Sequence, residues 1–224
     1  MKKLVIVGIS ATAEVMGEYL RHEAGRTVVG FAVERAFLES DTFQGLPVVP
    51  FDELPLAFGP TSHEILVAVS YGQLNRTRAR LLHEVTQMGY STVSFVSQHA
   101  IVATTATLGR HVFVFEQNNI QPFVSIGDNV ILWSGNHIGH HSRIGSNCFI
   151  ASHAVISGFC EIGANCFIGV NASIANNIEI GVDCWIGPGA TVSRNLPPRT
   201  MIKGVSSESA RADTHRFFRI TDSQ

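Results

Sequence analysis

The sequence predicts two structural parts, a small α/β unit followed by a parallel β-helix. The β-helix prediction rests on an aliphatic residue at every sixth position, without insertion, through sixteen hexads from Val102 to Val192. A period of six fits neither the helical period nor simple alternation, and it is typical of β-helix repeats. A mostly small residue follows each aliphatic after four positions, as at Ala154, Cys160 and Cys166. This small residue and the aliphatic of the next hexad lie two apart on a strand, so both point inward.

The residues two and three positions after each aliphatic predict the corners of the helix. They include Asn147, Asn165 and Asp183, and Asn and Asp tolerate the left-handed backbone that tight corners need. Three hexads would close one triangular coil of eighteen residues, which stacks residues eighteen apart in columns. At about 4.8 Å per coil, five coils give a prism on the order of 25 Å tall.

All four cysteines fall on the small, inward position of the repeat, and Cys148, Cys166 and Cys184 share one column. A role as small core residues is favoured over zinc or redox chemistry, because Cys is commonly buried and no Cys-x-x-Cys pair exists.

Strands and helices alternate over the first 98 residues, which predicts a parallel sheet with helices packed on it. The predicted domains are 1–98, an α/β unit, 99–205, the β-helix, and 206–224, a polar tail that carries Phe217 and Phe218. Within the α/β unit the predicted strands are 4–7, 27–33, 63–70 and 91–96, and the predicted helices are 11–24, 51–58 and 74–88.

The turn after the first strand runs from Gly8 to Ala13 and contains only the first glycine of a Gly-x-Gly-x-x-Gly fingerprint. NAD binding is therefore disfavoured. Its backbone N–H groups and the hydroxyls of Ser10 and Thr12 could still hold a phosphate. A plain helix cap at Ser10 explains the same residues equally well.

The overall composition excludes several classes of partner. A formal net charge of −2 and the absence of a Lys/Arg run give no electrostatic case for binding nucleic acid or an anionic membrane. Neither a signal peptide nor a transmembrane span is visible, so we expect a cytoplasmic protein without membrane insertion.

The middle coils carry the candidate catalytic residues. The run from Gly135 to His141 puts His137 outward on a flat face and puts His140 and His141 on a corner. With an ordinary pKa of about 6.5, a corner histidine is a competent base near neutral pH; the alternative is a set of solvated polar residues. Asn118 and Asn136 share an inward column, which predicts a ladder of amide hydrogen bonds.

An α/β unit followed by hexapeptide coils with Gly139-His140 on a middle corner resembles one family, the hexapeptide-repeat bacterial sugar acyltransferases. Its members include bacillosamine-pathway N-acetyltransferases and sialic-acid O-acetyltransferases. The resemblance implies a left-handed β-helix, a homotrimer with each active site between neighbouring prisms, and a role in glycan biosynthesis. It also implies that the N-terminal unit holds the nucleotide of an activated sugar, that acetyl-CoA or another acyl-CoA lies along the coils, and that no metal is needed.

The resemblance also assigns roles to residues of this chain. His140 matches the catalytic histidine, and His141 stands where the family often has an acidic residue. Glu34 matches acidic residues near the nucleotide base, whereas the turn lacks the family's Gly-x-Gly-His pattern. We therefore predict catalysis by His140 and His141, substrate binding by Ser10, Thr12, Glu34, Asn75, Arg78 and Asn136, and CoA binding by Asn171, Ala172, Gly187, Gly189 and Lys203.

The function predicted on this basis is acyl transfer, by default of acetyl, from acyl-CoA to the amino group of a UDP- or dTDP-linked amino sugar. In one alternative the fold is the same but the acceptor is a sugar hydroxyl, as in sialic-acid O-acetyltransferases. Another is a zinc-dependent hydratase of the carbonic anhydrase type, which would use His111, His141 and His153. The last alternative is a non-catalytic scaffold protein.

Overall fold

The structure is a computed structural model that describes residues 2–211 and 213–220. A small α/β unit is followed by a triangular parallel β-helix, so the predicted fold class is confirmed. The predicted tail of 206–224 lies partly outside the described residues, which leave out 212 and 221–224. No helix within the described ranges is long and apolar enough to cross a membrane.

The α/β unit contains one six-stranded sheet. Its strands are β1 (Lys3–Val7), β2 (Val28–Val33), β3 (Thr42–Phe43), β4 (Leu46–Pro50), β5 (His63–Val67) and β6 (Ser91–Thr92). Their order is β3-β4-β2-β1-β5-β6, and all neighbouring pairs are parallel except β3 and β4. The sequence did not predict this antiparallel pair. Its strands are short, and β4 contains two prolines, a residue that is depleted in strands and so gives no strand signal.

Four α-helices are described: α1 (Ala11–His22), α2 (Leu54–Ala57), α3 (Arg76–Gln87) and α4 (Thr214–Phe218). Helix α1 buries Met16 and Leu20 against the sheet. The predicted helix over 51–58 is divided into a 3₁₀ turn, Phe51–Glu53, and the single α-turn of α2. A second 3₁₀ turn, Arg35–Phe37, follows β2.

The prism consists of two-residue strands in three parallel sheets. Strands pair with the strand eighteen residues further on, as Ile120 pairs with Ile138, except in the last coil, where Trp185 pairs with Met201. Inward aliphatic side chains fill the core. Sheet I contains β7 (Phe95–Val96), β10 (Phe113–Val114), β13 (Ile131–Leu132), β16 (Phe149–Ile150), β19 (Phe167–Ile168), β22 (Trp185–Ile186) and β24 (Met201–Ile202). Sheet II contains β8 (Ile101–Val102), β11 (Asn119–Ile120), β14 (His137–Ile138), β17 (Val155–Ile156), β20 (Ser173–Ile174) and β23 (Thr191–Val192). Sheet III contains β9 (Thr107–Leu108), β12 (Ser125–Ile126), β15 (Arg143–Ile144), β18 (Glu161–Ile162) and β21 (Glu179–Ile180).

The corners and the cysteines follow the prediction from the repeat. Corner residues adopt positive φ, with 63° at Asn147, 59° at Asn165 and 63° at Asp183. The four cysteines are free and buried in the core. Their thiols point at backbone carbonyls of the next coil, for example from Cys148 Sγ to Gly163 O at 3.2 Å, so they act as small core residues.

The outer face of sheet I carries the α/β unit. Aromatic side chains such as Phe113, Phe115 and Phe149 join Met16 and Leu20 of α1 in one hydrophobic cluster. An edge-to-face contact reinforces it, because the Tyr19 ring lies 5.0 Å from the Phe115 ring between centroids. The two parts of the chain therefore share a core.

A column of polar side chains runs along the corner between sheets III and I. The Nδ2 groups of Asn129, Asn147 and Asn165 each donate to the Oδ1 of the residue eighteen positions later, at 2.8, 3.1 and 3.0 Å in turn. At one end of the column His111 Nδ1 lies 2.9 Å from Asn129 Oδ1. At the other end Arg76 of α3 pairs with the carboxylate of Asp183 at 2.8 Å. We call this column the corner ladder; its members are His111, Asn129, Asn147, Asn165 and Asp183.

His111 ties the ladder to the α/β unit. Its Nε2 accepts the backbone N–H of Val67 at 3.0 Å, so in the neutral ring Nδ1 carries the hydrogen and donates to Asn129 Oδ1. Burial lowers the pKa of His111 from 6.5 to about 4. The folded state therefore holds this ring in its neutral form.

We predict an acid-sensitive stability that depends on His111. Between pH 6.5 and about 4 the unfolded chain binds a proton at this position that the folded chain does not, so stability falls as the pH falls through this window. The free energy of unfolding of the wild type should drop by on the order of 3 kcal/mol more than that of His111→Gln across this range. Denaturant titrations at several pH values measure it, with His83→Gln on the exposed face of α3 as the control. Parallel pH profiles for wild type and His111→Gln would contradict the assignment.

Candidate active site

A cavity of about 410 Å³ lies at the carboxyl ends of β1, β2 and β5. We call it the strand-end cavity; ligands of open α/β sheets bind in this position. Ser10 and Glu34, both predicted from the sequence, line it. Ser10 stands at the N-cap of α1, but its side chain makes no capping hydrogen bond, so its hydroxyl is open to a ligand. Phe37 and Glu39 also line the cavity. They were missed because Phe37 ends a short 3₁₀ turn and Glu39 follows it, and such a turn has no sequence period.

A second cavity, of about 340 Å³, lies between the α/β unit and sheet I. We call it the interface cavity. Thr12, Ser70 and Tyr71 line it from the α/β unit, and Trp133 and Ser152 line it from the prism. Since Ser10 and Thr12 face different cavities, the first turn of α1 lies between them. The N-terminus of a helix favours an anionic group. At this point such a group would join two parts of one ligand, one in each cavity.

His140 and His141 lie together on the corner between sheets II and III, within a group of exposed rings. Their Nδ1 atoms are 3.1 Å apart. His141 lies between Phe123 and Phe159, with ring centroids at 4.7 and 4.8 Å. A Cβ added to Gly158 would lie 3.0 Å from His140 Nε2, so this glycine leaves room for the His140 ring.

The structure does not bring His140 and the two cavities together within one chain. Both cavities lie on the side of sheet I, where the α/β unit packs. The corner that carries His140 lies between the other two sheets, opposite sheet I. A reaction that uses all three therefore needs a second copy of the chain.

Asn75 and Arg78 are fully buried between the two parts of the chain. Asn75 Nδ2 donates to Cys166 O at 3.1 Å. Arg78 Nη2 donates to the carbonyls of Asn129 and Cys148, each at 3.2 Å. Burial lowers the pKa of Arg78 to about 10, which leaves it charged at neutral pH. This placement favours docking of the α/β unit over contact with a substrate.

Asn136 is 1% exposed inside the prism. Its Oδ1 accepts the backbone N–H of Ala154 at 2.8 Å. Asn118 Nδ2 donates to the carbonyls of Phe115 and Trp133, both at 2.8 Å. The predicted ladder between Asn118 and Asn136 is therefore wrong, because the backbone at each corner offers nearer partners. The placement of Asn136 favours a structural role.

The residues predicted to bind CoA divide into two groups. Asn171, Gly189 and Lys203 are exposed, and a Cβ added to Gly189 would meet nothing within 4 Å. In contrast, Ala172 is 1% exposed in the prism core, and a Cβ added to Gly187 would lie 2.7 Å from the nitrogen of Gly204. Only the first group offers surface to a ligand.

The histidines proposed for a zinc site are not arranged for it in this chain. Both ring nitrogens of His111 are occupied by Val67 and Asn129. His141 and His153 lie on two further corners of the prism. Within residues 2–211 and 213–220, no group of three or more His, Cys, Asp or Glu side chains is placed to hold a metal ion.

Comparisons with known proteins agree with this architecture. A family model described as bacterial transferase hexapeptide (six repeats) matches residues 123–158, which include His140 and His141. A comparison with curated protein sequences gives no match.

Several solved structures are similar over most of the chain. PerB from Caulobacter crescentus, in complex with CoA and GDP-perosamine, is 28% identical, with a TM-score of 0.80 over 90% of this chain and 93% of that chain. A histidine-to-asparagine variant of perosamine N-acetyltransferase from the same organism is 27% identical, with a TM-score of 0.82 over the same shares. The acetyltransferase domain of PglB from Neisseria gonorrhoeae is 23% identical over 91% of this chain and 97% of that chain, with a TM-score of 0.81, and bears on the fold alone. These matches confirm the predicted resemblance, the left-handed β-helix and the assignment as an acyltransferase.

Proposed function

We propose that this hexapeptide-repeat acyltransferase moves an acyl group, by default acetyl, from acyl-CoA to the amino group of a nucleotide-linked amino sugar. The observation that carries the proposal is the pair of cavities on either side of the first turn of α1. The similarity to perosamine N-acetyltransferase, solved with CoA and GDP-perosamine, supports both co-substrates.

The cavities suggest how the sugar nucleotide binds. The nucleoside occupies the strand-end cavity beside Glu34, and the sugar occupies the interface cavity beside Thr12 and Ser152. The diphosphate lies between them at the N-terminus of α1, where Ser10 and free backbone N–H groups favour an anion. One ligand thus spans both cavities.

The reaction needs a base for the sugar nitrogen. A protonated amine releases one proton to solvent before it attacks. The attacking nitrogen loses a second proton as the amide forms, and His140 accepts this one through Nε2. The nitrogen attacks the thioester carbonyl carbon, a C–N bond forms, and the C–S bond breaks. The proton passes to the departing sulfur, so CoA leaves as its thiol. N–H donors that stabilise the tetrahedral oxyanion lower the barrier further.

We also propose that the active form is a homotrimer. His140 lies on the corner opposite sheet I, whereas the cavities lie beside sheet I. Packing prisms around a threefold axis places this corner of one copy beside the interface cavity of the next. The acyl-CoA then lies between copies, near the exposed Asn171, Gly189 and Lys203.

A direct test offers acetyl-CoA to the protein with a panel of nucleotide-linked amino sugars and follows free thiol. The panel contains UDP-, dTDP- and GDP-linked 4-amino sugars and their hydroxyl analogues. We expect thiol release with an amino sugar and an amide product by mass spectrometry. Ester formation on a hydroxyl analogue alone would indicate the O-acyltransferase, and no thiol release with any acceptor or acyl-CoA would contradict the proposal.

We predict that His140→Ala lowers kcat by roughly 10²-fold or more, the usual scale for loss of a general base. Binding of the sugar nucleotide should change little, because in this proposal the nucleoside and the diphosphate bind at the strand-end cavity and the first turn of α1, where His140 makes no contact. His22→Ala, an exposed histidine on the last turn of α1, is the matched control. Unchanged turnover in His140→Ala would remove this residue from the mechanism.

His141 orients His140 in this proposal. When His140 donates its Nδ1 hydrogen to His141 Nδ1, its Nε2 keeps the lone pair that a base needs. We expect His141→Gly to lower kcat about tenfold with KM nearly unchanged, as for loss of an orienting partner. Glycine suits the φ of 60° at this position.

The matched control for this variant is Asn177→Gly, which removes a side chain at a φ of 61° on the same corner. Equal losses of kcat in both variants would show that the corner backbone, and not the second imidazole, is responsible.

A further inference from the structure

We propose that the strand-end cavity is built to select guanine, so that the donor of the amino sugar is a GDP-sugar. This inference rests on the proposed function, since it identifies the nucleotide of that substrate. It depends on two side chains that line the cavity, Phe37 and Glu39.

Glu39 is the free acid of this cavity. Glu34, the other carboxylate in its lining, accepts two hydrogen bonds from Arg80 Nη2, both at 3.0 Å. Arg35, at the start of the 3₁₀ turn, is engaged by Asp52 and Glu53. Within the described residues Glu39 has no hydrogen bond or ion pair, so both oxygens of its carboxylate are available to a ligand.

Phe37 supplies a flat apolar surface beside this carboxylate. Its side chain is 61% exposed although it lines the cavity. The turn Arg35–Phe37 holds it at the end of β2, and the pairing of Arg35 with Asp52 fixes the turn. An exposed ring at a cavity wall can stack on a nucleobase, and a purine offers it more area than a pyrimidine.

The chemistry of a free carboxylate separates the bases. A carboxylate only accepts hydrogen bonds, and it accepts two most strongly when the donors are adjacent. Guanine presents N1–H and the N2 amino group side by side. Uracil and thymine present one N–H between two carbonyl oxygens, and adenine presents its amino group beside a ring acceptor. Only guanine satisfies both oxygens of Glu39 without an opposing lone pair.

The other residues that line the cavity agree with this placement. Gly8 and Ser10 lie at the α1 end, where phosphate is favoured, and Glu34 follows β2 directly. An acid at the end of the second strand is where α/β folds place the ribose. Phe37 and Glu39 line the same cavity, and the base binds against them in this proposal.

The experiment measures binding of GDP, ADP, UDP and dTDP to the full chain by calorimetry. GDP should bind at least about tenfold more tightly than the other three, because a site that pairs with donors rejects ligands that lack them. In Glu39→Gln the preference for GDP over the other nucleotides should fall to within about threefold. The control is Asp41→Asn, which removes one negative charge outside the cavity lining and should leave the preference for GDP unchanged. Phe37→Leu should weaken binding of both purine nucleotides more than that of UDP and dTDP.

The outcomes separate this inference from the proposed function. Preferential binding of UDP or dTDP, or a GDP preference that survives Glu39→Gln, would overturn guanine selection and leave the sugar-nucleotide function standing. No binding of any of the four nucleotides would overturn both.

Discussion

The structure depends on one constraint, the pairing of each prism strand with the strand eighteen residues away, which holds from Phe95 to Val192. Backbone hydrogen bonds from one coil to the next fix this register, as between His137 and Val155. Identical corners therefore lie above one another, and a side chain at one corner meets its counterpart in the next coil. The corner ladder and the ring stack of Phe123, His141 and Phe159 both result from this alignment.

The ladder and Arg78 together decide where the α/β unit sits. Arg78 has no carboxylate partner within the described residues, so its buried guanidinium needs converging carbonyls. Those of Val69 and Ser70 come from the α/β unit, and those of Asn129, Asn147 and Cys148 come from the stacked corners between sheets III and I. Arg76 adds a second contact from the same helix to the far end of the ladder. Helix α3 thereby fixes the unit on sheet I, which places both cavities there and leaves His140 on the opposite corner. The division of the proposed active site between copies of the chain is thus a consequence of docking.

Much of the prism could be predicted because a strict period carries its own geometry. The six-residue period alone predicts the inward aliphatic residues, the corner residues and the position of His140. The interface could not be predicted in this way. Asn129, Asn147 and Asn165 are eighteen apart in the sequence, but only the docked α/β unit shows which column is buried. Asn75 and Arg78 sit on a helix whose partners are more than fifty residues away. Phe37 and Glu39 belong to a short irregular segment, where no periodic signal marks a ligand.

In the proposed trimer residues of two chains complete one active site, and mixing subunits tests this arrangement most directly. One variant, His140→Ala, lacks the base, and another, Thr12→Tyr, fills the interface cavity, so each is expected to be inactive as a pure protein. Dissociating the two proteins together and reassembling them would produce mixed oligomers, which native mass spectrometry can identify. We expect these mixed oligomers to recover thiol release from acetyl-CoA, since an intact cavity of one chain then faces an intact His140 of another. Mixed oligomers without activity would contradict the shared site.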